Sequence, residues 1–154
     1  MPERQTLERA RRDAREGKAP STQAGEFIRE EMEHIREGKH GARSTKQAIA
    51  IGLSKARRAG VKLAAPKGAE VSPRARKQAK RDMRRGSSAK PSAKRSRATL
   101  RALKKEGRSA ASHQALATQA KRVARKRSAS ARSEQAKRAA RTRRANRSSN
   151  GRSR

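Results

Sequence analysis

A chain of 154 residues with a net charge of +32, a single Phe as its only aromatic residue and 31% hydrophobic content has little with which to fill a core. That balance is typical of chains that stay wholly or partly unfolded, and it argues against an enzyme with a walled pocket. The absence of cysteine removes disulfides, thiolate chemistry and cysteine-based zinc sites.

Residues 1–20 read as a charged N-terminal helix or arm. A short helix over Glu3–Glu16 places Leu7, Ala10 and Ala14 on one side, and Glu8 supports Arg12 at i,i+4. With one large apolar residue it reads as nascent or peripheral rather than as part of a core. The segment MPERQTLERARRD has no apolar run of the kind a secretory signal carries, and the apolar run Ala48–Ile51 is far too short to span a bilayer. The expected location is the cytoplasm, with the nucleoid, and no membrane partner is expected.

Residues 21–63 hold all four Ile, the only Phe and two of the three His. Pro20, Ser21 and Thr22 open a helix that Gly38 stops, with Ala24, Ile28, Met32 and Ile35 at helical spacing and Phe27 beside them. Ser44-Thr45-Lys46-Gln47 is a capping box for a second helix, which Gly60 closes and which carries a stripe of Ala48, Ile49, Gly52, Leu53 and Ala56. A glycine on that stripe costs about 1 kcal/mol against alanine, so Gly52 predicts a close approach by the partner helix. The expected product is a small helical hairpin. Glu26, Glu30, Glu33 and Glu37 are expected along its outer ridge, as a solvated face or as a holding surface for the basic tail.

The segment REGKHGARSTKQAIAIGLSKARRAG within this hairpin resembles that of a family of short, highly basic bacterial proteins of unknown function, sometimes labelled DNA-binding or plasmid-stabilisation proteins. The resemblance covers about a quarter of the chain closely and implies a genuine domain at 21–63. It names no activity and no cofactor.

Beyond the hairpin the charge changes character. Residues 1–65 carry 15 Lys and Arg against 9 Asp and Glu, whereas residues 66–154 carry 30 against 4. Residues 64–96 read as a basic linker, entered through Ala64-Ala65-Pro66-Lys67-Gly68 and broken again at Gly86-Ser87-Ser88 and Lys90-Pro91-Ser92. Ser72-Pro73-Arg74-Ala75-Arg76-Lys77 resembles the Ser-Pro-basic elements of linker-histone tails, in which a turn presents arginines to a narrow minor groove. Residues 97–127 read as a second, weak helical pair whose large apolar side chains are Leu100, Leu103, Leu116 and Val123. Residues 128–154 read as a disordered basic tail. The fold class expected is therefore all-α: one hairpin with a mostly disordered, partly helical basic extension.

Candidate nucleic-acid contacts fall in three groups. In the turn, Lys39, His40, Arg43, Ser44, Thr45 and Lys46 combine cations and hydroxyls with the unpaired amides of a helix N-terminus, a plausible seat for one phosphate; the alternative is a simple connector. Lys55, Arg57 and Arg58 lie on the second helix. In the extension, Arg74, Arg76 and Lys77 follow the Ser-Pro step, and a Gln-Ala-Lys-Arg repeat supplies Lys80 with Arg81, Lys121 with Arg122, and Lys137 with Arg138. His34, His40 and His113 show no metal-ligand spacing and no orienting acid visible from sequence, so no metal site, cofactor or small-molecule substrate is expected, and no catalysis.

Phosphate neutralisation of duplex DNA without sequence preference, in the manner of a histone-like nucleoid protein, is the leading expectation. The alternatives are an RNA- or ribosome-associated protein and a protein-interaction module docking through Ile51. Near-absence of aromatic residues argues against stacking on single strands and leaves duplex DNA or structured RNA.

Overall fold

The structure, a computed structural model, describes residues 2–65, 72–85 and 92–150. Every regular element among them is helical: α1 (Arg4–Arg15), α2 (Pro20–Arg36), α3 (Thr45–Arg58), α4 (Pro73–Arg85), α5 (Ala93–Lys104), a 3₁₀ turn (Ser109–Ala111), α6 (His113–Lys126) and α7 (Ala129–Asn150). The chain divides into two compact units, Met1–Leu116 and Ala117–Arg154.

Local chemistry explains the boundaries. Ser44 accepts the Gln47 N–H at 3.2 Å, and the Gln47 carboxamide turns back to accept the Arg43 N–H at 2.8 Å, so the capping box reaches one residue further upstream than the standard form. Ser72, Ser112 and Ser128 accept from Ala75, Ala115 and Ala131 in the same way. The Ser72-Pro73 step thus opens α4 as N-cap and first helical residue, rather than forming an isolated turn. Gly38 stops α2 at φ +78°, with Lys39 N–H donating to His34 O at 2.9 Å and Gly38 N–H to Ile35 O at 3.2 Å.

The first unit is more than a hairpin. α2 and α3 pack as expected, and Gly52 makes it possible: a Cβ there would lie 2.8 Å from Ile28 Cα. Yet α1, α4 and the 3₁₀ turn also pack on this pair, making a multi-helix assembly in place of the expected free-standing hairpin. One apolar cluster joins Met32, Ile35, Ala42 and Ala48 to Ala110 and Ala111 of the 3₁₀ turn, with Ile28, Ile49 and Leu116 against it. A second joins Phe27, Ala24, Ala56 and Val61 to Ala10 of α1, flanked by Leu7, Leu53 and Leu63. Burying Phe27 and Ile35 completely contributes about 1.5–3 kcal/mol each. The smaller alanines let backbones approach, so a core forms with few large side chains. α1 is accordingly a core element and not a peripheral arm: Arg9–Glu26 at 2.7 Å ties it to α2, and Lys18–Asp13 at 2.8 Å closes the connector that follows it.

α4 lies within the stretch read as linker and docks on α3 through buried Ala79 and Asp82. Ser54 Oγ donates to Asp82 Oδ2 at 2.6 Å and Gln78 Nε2 to Asp82 Oδ1 at 2.9 Å. The breaks expected at Pro66–Gly68 and at 86–91 lie outside the described residues. In the second unit the expected disordered tail is instead the long helix α7, because an Ala/Arg-rich sequence started by a serine cap has strong intrinsic helix propensity. Residues 151–154 lie outside the described residues.

Candidate nucleic-acid interface

The turn between α2 and α3 is bound up with the fold. Gly41 N–H donates to Leu103 O at 2.9 Å and Ala42 N–H to Gly107 O at 3.0 Å. Thr45 is buried and its hydroxyl donates to Ala110 O at 2.7 Å, while Arg36 Nε donates to Ala111 O at 2.9 Å. The hydroxyls and several amides of the candidate phosphate seat therefore hold the 103–111 segment or cap α3. Arg43, Ser44 and Lys46 face solvent at the start of α3, with Ser44 Oγ already accepting from Gln47. His40 is buried, with Nδ1 3.1 Å from Gly41 O and Nε2 3.3 Å from Glu31 Oε1.

The acidic residues of α2 explain where other cations point. Glu30 and Glu31 are 1% and 0% exposed, so two carboxylates lie inside the fold and the expected outer ridge is broken. Lys55 sits between them, 3.2 Å from Glu30 Oε1 and 2.6 Å from Glu31 Oε2. Glu30 Oε2 also accepts the Glu3 N–H at 3.0 Å. Lys39 is exposed but is held by Glu37 and Glu3, and these two hydrogen bonds raise its pKa above the ordinary value. Arg57 is buried, and Arg58 is exposed with Nε donating to Ser54 O.

Burial works to raise the Glu30 pKa, but the Glu3 N–H, the Thr6 hydroxyl and Lys55 together overcome it and hold the carboxyl below its ordinary value of 4.5. A depressed folded-state pKa contributes stability that is full above the unfolded value and is lost as pH falls through the folded value. We expect Glu30→Gln to lower stability at pH 7 by about 1.5–3 kcal/mol. The same change should shrink the difference between urea midpoints measured at pH 7 and pH 3; an unchanged difference would show that Glu30 is not part of the acid sensitivity.

The cations left for a partner lie on the later helices. Arg74, Arg76, Lys77, Lys80 and Arg81 are exposed on α4, whose buried residues are Ala79 and Asp82. On α6, Lys121 and Arg122 with Thr118, Arg125 and Lys126 line a shallow, open concavity. Lys137 and Arg138 are exposed on α7, where Lys137 pairs with Glu134 at 3.1 Å. Arg95, Arg97 and Arg101 on α5 and Arg132, Arg141, Arg143, Arg144 and Arg147 on α7 are further exposed cations beyond the set predicted from sequence. Only their density of charge could have marked them, since no motif does. α7 carries no large apolar side chain, and its cations spread around most of its circumference, with a strip of Ala131, Gln135, Ala139 and Thr142 between them.

Comparison with known proteins reaches only the first part of the chain. Residues 4–68 match a family model described as a family of unknown function (DUF6496). The match spans α1 to α3 and less than half of the 154 residues. No curated protein and no solved structure matches the chain. No helix among the described residues is long and apolar enough to cross a membrane. Ligand atoms of Glu31, His34 and His40 lie within 4.8 Å of one another.

Proposed function

We propose that the chain is a histone-like, nucleoid-associated protein that binds duplex DNA without sequence preference, by neutralising phosphates. The observation that carries this reading is the exposed cationic surface of α4 to α7. Unit Ala117–Arg154 holds 14 Lys and Arg against one acidic residue, and its described side chains are almost all exposed. Such a surface gains affinity by releasing condensed counterions, a term that is blind to sequence. A helix with cations around most of its circumference and no Asn or Gln cluster facing one groove favours contacts to the backbone over contacts to base edges. Phosphates also relieve repulsion between neighbouring cations along α7, so duplex should raise the temperature at which its helicity melts.

Fluorescence anisotropy with two duplexes of unrelated sequence tests the reading. Affinities within about threefold are expected, whereas each base pair recognised directly would separate them by about 1–3 kcal/mol. Crosslinking in cells then decides the polymer. Recovery of RNA in place of DNA would replace this proposal with an RNA-associated role, for which the same polycation would serve.

A further inference from the structure

We propose that Glu31, His34 and His40 form a site for one divalent cation of the zinc class, which pins the turn at 38–43 to α2. His40 is 9% exposed; its Nδ1 faces Gly41 O at 3.1 Å and its Nε2 faces Glu31 Oε1 at 3.3 Å. Both neighbours are acceptors. A neutral imidazole has one N–H and one lone pair, so it can satisfy only one of them. A cation lodged against Nε2 and Oε1 satisfies the pair, and leaves Nδ1–H to donate to the carbonyl.

Glu31 points the same way. Its side chain is fully buried, and neither carboxylate oxygen accepts a hydrogen bond, although Lys55 Nζ supplies charge 2.6 Å from Oε2. Oε1, the oxygen turned to His40, has no donor of its own. Lys55 divides its charge between Glu30 and Glu31 Oε2, so Oε1 is the buried oxygen left for a second positive group.

His34 follows Glu31 by three residues on α2, which sets both on one helix face, and a ring nitrogen of each histidine falls within the 4.8 Å cluster. Its Nε2 lies 2.8 Å from Oε1 of Glu3, the N-cap of α1, so Glu3 supplies the carboxylate that commonly stands behind an imidazole whose other nitrogen, here Nδ1, meets a metal. The backbone carbonyl of Gly41 does the same for His40. Two nitrogens and one oxygen suit zinc, whose tetrahedral edge is about 3.3 Å at bond lengths of about 2.0–2.1 Å. The His40–Glu31 separation already equals that edge. The wider edges need to contract by up to about 1.5 Å, a side-chain adjustment.

Titration of the full-length protein with Zn²⁺ tests the site. One equivalent should bind saturably, with a rise in Tm of about 10 °C at a hundredfold excess over Kd. Co²⁺ in its place should give the visible ligand-field absorption of a four-coordinate site. His34→Gln and His40→Gln should each weaken binding at least about 100-fold, and Glu3→Gln, which removes only the acceptor behind His34, about 10- to 100-fold. His113→Gln, at the start of α6, should change nothing. Circular dichroism identifies any variant that fails to fold; His34 and Glu3 are partly exposed, so their variants carry the test if His40→Gln does not fold. Uptake that never saturates, that survives His34→Gln and Glu3→Gln, or that falls equally with His113→Gln overturns the proposal.

Discussion

Raising the salt from 50 to 200 mM should weaken duplex binding about 10⁵-fold if about ten phosphates are contacted, with log affinity falling against log salt at a slope of about −9. This is the largest effect expected of the chain, because little in it besides charge can grip DNA. Each neutralised phosphate returns its share of the counterion atmosphere to bulk, and that gain shrinks as bulk salt rises. A set of substitutions on α7 sharpens the test. Replacing Arg132, Lys137, Arg138 and Arg141 by Gln preserves helix propensity while removing four cations, all exposed in the structure. The slope should fall in magnitude by about 3–4 if all four meet phosphates. A slope near zero, or one untouched by the four changes, would sink phosphate neutralisation as the source of affinity.

Gly41→Ala should unfold the first unit at a temperature lower by about 10 °C or more. A Cβ at this position would stand 1.9 Å from Glu106 O and 2.6 Å from Gly107 O, both backbone atoms that cannot swing aside. Relief requires the 103–107 segment to withdraw, and with it the bonds Gly41 N–H to Leu103 O and Ala42 N–H to Gly107 O. Overpacking of this kind costs about 3 kcal/mol or more, and each kcal/mol moves Tm by about 4–8 °C in a domain of this size. Two roles for the turn are separated by the result. If Gly41 serves the fold, Tm falls and duplex affinity measured well below it is unchanged. Were Gly41 there to admit a phosphate, Tm would hold and affinity would drop.

The helix ends were legible in the sequence because they depend on near neighbours. Ser44 with Gln47, Gly38 and Gly60 act within one turn of chain, and Gly52 announced the approach of Ile28 through the cost of its own presence in a helix. The stripe of Ala24, Ile28, Met32 and Ile35 with Phe27 beside it was equally plain, although Phe27 is buried completely and Ile28 only in part. Glu31 sits on that same stripe, four residues from both Phe27 and Ile35, and its charge concealed it. A carboxylate is assigned to solvent unless its partners are known, and here the partners come from a different helix and from the turn. The small residues Ala79, Ala110 and Ala111 were missed for a related reason: their burial adds little area, so apolar content gives no hint of it. α7 shows the opposite failure. Composition pointed to disorder, whereas alanine with arginine and a serine cap favours helix locally without any packing.

The junction of Ala110 and Ala111 with α2 and α3 also sets an order of events during synthesis. Arg36 and Thr45 wait for carbonyls that lie 75 and 65 residues further along. Until the ribosome has released that later segment, the faces of Met32, Ile35 and Ala48 that it covers stand open to water. The nascent chain must therefore carry an unfinished hydrophobic surface through much of its elongation, protected from association with other chains chiefly by the positive charge that surrounds it.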